Sequence, residues 1–181
     1  MLKRRAEVPL TVPARSGAED GWKALALIVD LIKHAETKAG LALAAAGATG
    51  GVVYTLIRTT PEISVVLGLS AGVSTVLVLT AATFAGLALV PRRRSGPDSI
   101  NLLYYLHVAA DYGGRADTYA DEFAALVRNP DALVAAIAQQ VWSNALVAKR
   151  KYRWAGLALN ALLGALAVLA IAAAVSVLQS P

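Results

Sequence analysis

The side chains most capable of chemistry in this 181-residue chain are its two histidines, His34 and His107, and the charged residues beside the first. Glu36 follows His34 by two positions, and residues two apart on a helix face different directions, so they form no catalytic pair. The sequence has no His-x-x-x-His pair, no phosphate-binding glycine loop and no cysteine. We therefore expect no enzyme activity, no metal site and no resident cofactor.

Polar and aromatic side chains in three places form a candidate binding constellation. They are His34, Glu36 and Lys38, then Asn101, Tyr104 and Tyr105, then Trp142, Asn144, Lys149 and Lys151. Aromatic faces can stack on a nucleotide base, amides can bind its edge, and lysines can bind its phosphate. The same residue types are ordinary at a membrane boundary, where Tyr and Trp form belts and Lys marks the cytoplasmic side. The residues alone leave both interpretations open.

Long apolar runs must position these groups. Hydrophobic residues make up 57% of the chain and charged residues only 16%, whereas about a quarter of a soluble domain is charged. Three runs exceed the roughly 18 residues of a membrane span, and they cover residues 39–57, 63–90 and 154–178. We expect an all-α, multi-pass membrane protein with three transmembrane helices. Extensions of the spans and two short helices would form a small cytosolic layer.

The positions of the basic residues predict the orientation of the spans. Basic residues before the first span, after the second and before the third include Lys3, Arg4, Arg5, Arg92, Arg93, Arg94, Lys149, Arg150, Lys151 and Arg153. Only Arg58 lies between the first two spans. Because cytoplasmic segments carry the excess of Lys and Arg, we expect the N-terminus and residues 91–153 to be cytoplasmic.

Two helices are expected to run unbroken from water into lipid. The first covers residues 22–57, where apolar residues recur at helical spacing and no proline interrupts. Asp20 is its predicted N-cap, and residues 1–21 are predicted to be a disordered arm. The second helix, capped by Asp131, is expected to run from residue 132 into the third span. Residues 22–181 would form a single membrane domain.

Two short helices are expected between these long ones. The first covers residues 100–112, is capped by Ser99 or Asp98, and ends at the Gly113-Gly114 pair. The second covers about residues 117–128.

Small residues recur along all three spans. The set comprises Gly47, Gly51, Gly68, Gly72, Gly156 and Gly164, with Asn160 midway between the last two. Small residues four apart let helix backbones approach closely, and an amide in lipid needs a hydrogen-bonding partner. The pattern fits packing within one subunit and contact within a homo-oligomer equally well.

The order of these features resembles the Pycsar transmembrane effectors. Residues 34–40, His-Ala-Glu-Thr-Lys-Ala-Gly, are similar to that family's acidic-x-Lys-Ala-small signature, although Glu36 stands where Asp is commoner and Gly40 where Ser is usual. The similarity continues through residues 101–105, Asn-Leu-Leu-Tyr-Tyr, and residues 149–153, Lys-Arg-Lys-Tyr-Arg. It covers about residues 22–178.

The resemblance implies a bacterial antiviral effector of the abortive-infection type in the inner membrane. A partner cyclase would make cUMP or cCMP on phage infection, and the effector would bind this second messenger, oligomerise or rearrange, and impair the membrane. The acidic-lysine pair carries over to Glu36 and Lys38, and the amide-aromatic stretch to Asn101 and Tyr104. Membrane lipid, the cyclic nucleotide and further copies of the chain are the expected partners, and no nucleic-acid polymer is expected.

Two other functions remain open from the residues. One is an oligomeric membrane anchor or scaffold that recruits a soluble partner through its cytosolic helices. The other is a membrane enzyme that acts on lipid headgroups through His34 or Glu36, for which the sequence offers no metal or nucleophile motif.

Overall fold

A computed structural model describes residues 14–60, 64–90 and 100–178, with side chains described between residues 17 and 175 of these ranges. The helices are α1 (Ala14–Thr59), α2 (Val65–Leu89), α3 (Tyr105–Asp111), α4 (Ala116–Arg128) and α5 (Pro130–Leu178). No strand occurs within the described ranges. The predicted all-α fold is confirmed.

Three helices, α1, α2 and α5, are long and apolar enough to cross a membrane. They contain the predicted spans, and α2 matches the second span within two residues at each end. Both α1, with 46 residues, and α5, with 49, continue without a break from their charged part into their apolar part. The prediction of two uninterrupted helices is confirmed.

The start of α1 differs from the prediction. The helix begins at Ala14, so Asp20 lies inside it and the assignment of Asp20 as N-cap is wrong. Glu19 and Asp20 lie on the helix surface beside Lys23, whose ammonium is 2.8 Å from the Glu19 carboxylate. These ion pairs join residues about one helical turn apart, and they stabilise a helix in a region that was predicted to be a disordered arm. The predicted disorder is thus wrong for residues 14–21, and residues 1–13 lie outside the described part of the chain.

Side-chain hydrogen bonds also move two other helix starts. The third helix begins at Tyr105 and not at residue 100, because the Asn101 side chain accepts from the Leu103 N–H and holds a turn there. The Asn129 side chain accepts from the Ala132 N–H at 3.1 Å, so Asn129 and not Asp131 caps α5. The predicted caps Ser99 and Asp98 lie outside the described residues. The helix predicted over residues 117–128 is confirmed as α4.

The chain divides into two compact units. The span unit consists of Val29–Arg93 and Ala145–Pro181, and the head unit consists of Met1–Ile28 and Arg94–Asn144. The division falls within α1 and within α5, so each of these helices contributes residues to both units.

Alanines form the core of the span unit. The fully packed layers between α1, α2 and α5 are Ala39 with Ala88 and Ala155, Ala42 with Ala85 and Ala158, and Ala46 with Val78, Ala81, Leu162 and Ala165. Because one methyl group is all that separates the backbones at an alanine, the three helices approach closely. Alanines therefore form most of the contact between the spans of one subunit.

The head unit is built from α3, α4 and the polar parts of α1 and α5. Ile137 of α5 is 1% exposed, and it packs against the α1 backbone at Gly21. A Cβ atom on Gly21 would lie 3.0 Å from the Ile137 Cγ2 atom, so glycine is what permits this contact. This contact joins the two long helices inside the head unit.

Candidate functional site

An ion pair joins all three long helices in the span unit. The Lys151 ammonium of α5 donates to the Glu36 carboxylate of α1 at 2.7 Å and to the Ala88 carbonyl of α2 at 3.0 Å. The Ala88 carbonyl belongs to the last turn of α2, where carbonyls lack helical partners and attract positive charge. The Lys151 side chain is 11% exposed and the Glu36 side chain 43%. One lysine thus satisfies the end of α2 and ties it to α1.

The next residues of the signature also have partners in the span unit. The Lys38 ammonium lies 5.4 Å from the centre of the Tyr152 ring, within range of a cation–π attraction. Ala39 is fully buried against Ala88 and Ala155. The Glu-x-Lys-Ala motif of residues 36–39 therefore docks α1 onto the other two long helices.

Asn101 is a structural centre of the head unit. Its amide nitrogen donates to the Ala136 carbonyl at 3.0 Å and to the Gln139 side-chain oxygen at 3.2 Å, and its oxygen accepts from the Leu103 N–H at 2.9 Å. Its backbone N–H donates to Nδ1 of His107 at 3.0 Å. The residue is 5% exposed. Its amide is already satisfied by protein groups, which makes it a support for the neighbouring tyrosines and not a free ligand donor.

Aromatic rings on α3 and α4 border a shallow depression in the head unit. The depression has a volume of about 620 Å³ and is lined by Leu102, Leu103, Tyr105, Val108, Ala109 and Tyr119. Tyr105 is 67% exposed, whereas the Tyr119 hydroxyl donates to the Leu102 carbonyl at 3.2 Å. The Tyr105 ring is therefore open to solvent, the Tyr119 ring is held by a hydrogen bond, and the floor between them is apolar.

A second tyrosine pair supports this wall. The Tyr112 ring meets the Tyr119 ring edge-on with 5.5 Å between centres. The hydrogen bond that the Tyr112 hydroxyl donates to Glu122, together with burial, raises the pKa of Tyr112 above its ordinary value. The phenol therefore stays neutral and keeps donating at physiological pH.

The residues predicted to bind a ligand are distributed over both units. His34, Glu36, Lys38, Lys149 and Lys151 belong to the span unit, and Asn101, Tyr104, Tyr105, Trp142 and Asn144 to the head unit. The structure pairs Glu36 with Lys151, and it places the Tyr104 and Tyr105 rings 5.4 Å apart. Within the described part of the chain, His34, Lys149 and Trp142 are exposed and make no hydrogen bond or ion pair.

Three residues of these clusters were not among the predicted site residues. They are His107, Tyr119 and Tyr152. The density of tyrosines between residues 104 and 119 is the sequence signal for an aromatic surface here.

Residues 68–72, Gly-Leu-Ser-Ala-Gly, match the Gly-x-Ser-x-Gly pattern of a hydrolase nucleophile elbow. That elbow requires a sharp turn between a strand and a helix. Ser70 instead lies inside α2, and its hydroxyl donates to the Val66 carbonyl at 2.8 Å. The serine is a satisfied helix residue without the geometry of a nucleophile.

The span glycines divide between inward and outward positions. An added Cβ atom on Gly164 would meet Leu77 of α2 at 3.5 Å, so this glycine packs within the subunit. An added Cβ atom would meet nothing within 4 Å at Gly47, Gly51, Gly72 or Gly156. Intrachain packing therefore does not explain these four glycines.

Comparisons with known proteins identify relatives of this chain. A family model described as PycTM, the Pycsar effector protein domain, matches residues 20–178. The Pycsar effector protein PtPycTM of Propioniciclava tarda is 33% identical over 177 residues, which cover 93% of this chain and 88% of that protein. No solved structure matches the chain. The extent of the family match and the identity to this relative show that the chain belongs to the Pycsar transmembrane effector family.

Proposed function

We propose that this chain is the membrane effector of an antiphage system, switched on by a cyclic pyrimidine mononucleotide, cUMP or cCMP, and that the activated protein impairs the bacterial inner membrane. The head unit would face the cytoplasm, where the messenger is made. Family membership supports the role of effector. The observation that carries the choice of ligand class is the tyrosine-walled depression of the head unit.

This depression suits a flat heterocyclic ring. Its volume of about 620 Å³ falls in the range of small-molecule sites. Stacking on an aromatic side chain contributes about 1–3 kcal/mol per base, and the exposed Tyr105 ring offers such a face. The fixed Tyr119 ring would form the opposite wall. We therefore assign the base to this depression.

The ligand must bind two arrangements of the protein unequally if it is to act as a switch. Both α1 and α5 contribute residues to the head unit and to the span unit. If the bound base pushes α3 and α4 apart, it would change how α1 and α5 are held in the head unit. Because helices are stiff, the change would reach the spans and work against the Lys151 contacts to Glu36 and Ala88.

The membrane effect is proposed to be leakage. Selective ion pathways are lined by carbonyl or charged rings, and the described part of α2 contains no charged residue. Loosened packing of the alanine layers would open the bilayer to small solutes without selecting among them.

Calorimetry on the detergent-solubilised full chain tests ligand binding. We expect cUMP or cCMP to bind and the purine analogue cAMP to bind at least tenfold more weakly. Tyr105→Ala should weaken binding about fivefold to a hundredfold if stacking contributes 1–3 kcal/mol. Tyr54→Ala is the matched control, because Tyr54 is 62% exposed and Tyr105 67%, and Tyr54 lies in the span unit.

Liposomes with entrapped dye test the membrane effect. The binding nucleotide should release dye from vesicles that contain the protein, and Tyr105→Ala should need a higher nucleotide concentration. Nucleotide binding without dye release would overturn the proposed leakage. No binding of either pyrimidine nucleotide would overturn the ligand assignment and favour the membrane scaffold.

A further inference from the structure

Asn160 is a polar side chain on the outer surface of an apolar span. It lies in α5 about 9 Å beyond Trp154, at ~1.5 Å of rise per residue, within the predicted span of residues 154–178. The residue is exposed, and its side chain makes no hydrogen bond within the described part of the chain. An amide at this depth faces hydrocarbon, where an unsatisfied polar group costs several kcal/mol.

The hydroxyl groups of the spans differ from Asn160 in this respect. Outward residues such as Thr55, Ser70 and Thr80 donate to carbonyls of their own helix at 2.7–2.9 Å. Ser74, which is buried, donates to the Ala165 carbonyl of α5 at 3.3 Å. The Asn160 side chain bonds neither to its own helix nor to another helix of the subunit. It is also too short to reach the water–lipid interface, as a lysine or arginine side chain does. Its amide therefore requires a group from outside the chain.

One leucine and three alanines follow Asn160 along the same outward face. The exposed positions Asn160, Leu163, Ala167, Ala170 and Ala174 follow one another at alternating intervals of three and four residues, and we call them the α5 strip. This spacing is that of left-handed helix pairs. The buried residues Ala158, Leu162 and Ala165 lie on the opposite side of the helix. The strip is consequently free of the subunit's own packing and narrow enough for a second helix to approach.

We propose that the α5 strip binds the α5 strip of a second copy of this chain. An amide is both donor and acceptor, so two Asn160 side chains related by rotational symmetry satisfy each other without any other residue type. The alanines allow the backbones to come within hydrogen-bonding reach of these side chains. Other glycines, such as Gly47 on α1 and Gly72 on α2, also face outward, but no unpaired polar group lies beside them. Nothing at these glycines therefore requires a partner with a matching amide.

The absence of cysteine from the chain permits a clean crosslinking test in membranes. Ala167→Cys places a single thiol in the middle of the strip, and Val76→Cys places one on an exposed position in the middle of α2. In vesicles of neutral lipid without nucleotide, oxidation should convert Ala167→Cys to a disulfide dimer, and Val76→Cys should stay monomeric. Equal dimer yields would show random collision and overturn the proposal.

Variants at Asn160 test the role of the amide. In the Ala167→Cys background, Asn160→Ala should lower the association constant about threefold to thirtyfold, measured by diluting the protein with lipid. Asn160→Gln, which keeps an amide, should retain most of the association. An unchanged constant in Asn160→Ala would overturn the proposal. Because the assay contains no nucleotide, its outcome is independent of ligand binding at the head unit.

Discussion

The ammonium group of Lys151 lies 2.7 Å from the Glu36 carboxylate, although the two residues are 115 positions apart in the chain. The same ammonium reaches the Ala88 carbonyl at 3.0 Å. Charge-assisted hydrogen bonds are about twice as strong as neutral ones, and this pair is placed where the three long helices of the span unit meet. The acidic residue of the family signature is therefore used to fix α1 against α2 and α5.

Replacement of Lys151 should destabilise the span unit. Lys151→Met removes both hydrogen bonds and leaves the Ala88 carbonyl and the half-buried Glu36 carboxylate unpaired, at a cost of about 1–3 kcal/mol. The melting temperature in detergent should fall accordingly. Lys149→Met is the matched control, because Lys149 is exposed and has no ion pair in the described part of the chain. Equal destabilisation by the two variants would contradict the role assigned to Lys151.

Enlargement of Ala39 should separate the three long helices. Ala39 is fully buried against Ala88 and Ala155, and Ala39→Leu would force extra methylene groups into that contact at about 1–3 kcal/mol. Ala44→Leu on the exposed side of the same helix should change the unfolding free energy little. Chemical denaturation in mixed micelles measures both. An unchanged unfolding free energy in Ala39→Leu would mean that the alanine layer is not closely packed.

Loss of the Asn101 amide should loosen the head unit. Asn101→Ala leaves the Ala136 carbonyl, the Gln139 side chain and the Leu103 N–H without their partner, which we expect to cost about 1–3 kcal/mol. Hydrogen exchange at the Leu103 amide should accelerate by one to two orders of magnitude. Exchange in the alanine layers of the span unit serves as the internal reference and should stay slow. Unchanged exchange at Leu103 would show that the turn forms without this side chain.

Single cysteines can test the orientation set by the positive charges. Thr59→Cys at the end of α1 should react with a membrane-impermeant maleimide in intact spheroplasts. Asp117→Cys in the first turn of α4 should react only after permeabilisation, because the positive-inside rule predicts a cytoplasmic head unit. The reverse pattern of labelling would invert the proposed topology and remove the head unit from the compartment of the messenger.

Local properties of the sequence determined the three spans and the continuity of α1 and α5. Apolar runs of sufficient length, and the absence of a breaker at their polar ends, depend only on neighbouring residues, which is why these predictions are confirmed. Helix starts were predicted less well. The side chains of Asn101 and Asn129 accept the local backbone hydrogen bonds, and the sequence pattern does not show why these residues accept them and neighbouring polar residues do not.

The roles of individual polar residues were decided only by the tertiary structure. Glu36 and Lys38 were predicted to bind a ligand because both are charged and close to a span. In the structure they contact Lys151 and Tyr152, which lie in a helix more than a hundred residues later. Asn101 is likewise committed to α5. Small residues marked the spans as closely packing, but only the fold shows which alanines are buried between the helices and that Asn160 is exposed on the outer surface. The periodicity of the sequence defines the faces of each helix. The pairing of these faces depends on contacts between residues that are far apart in the sequence.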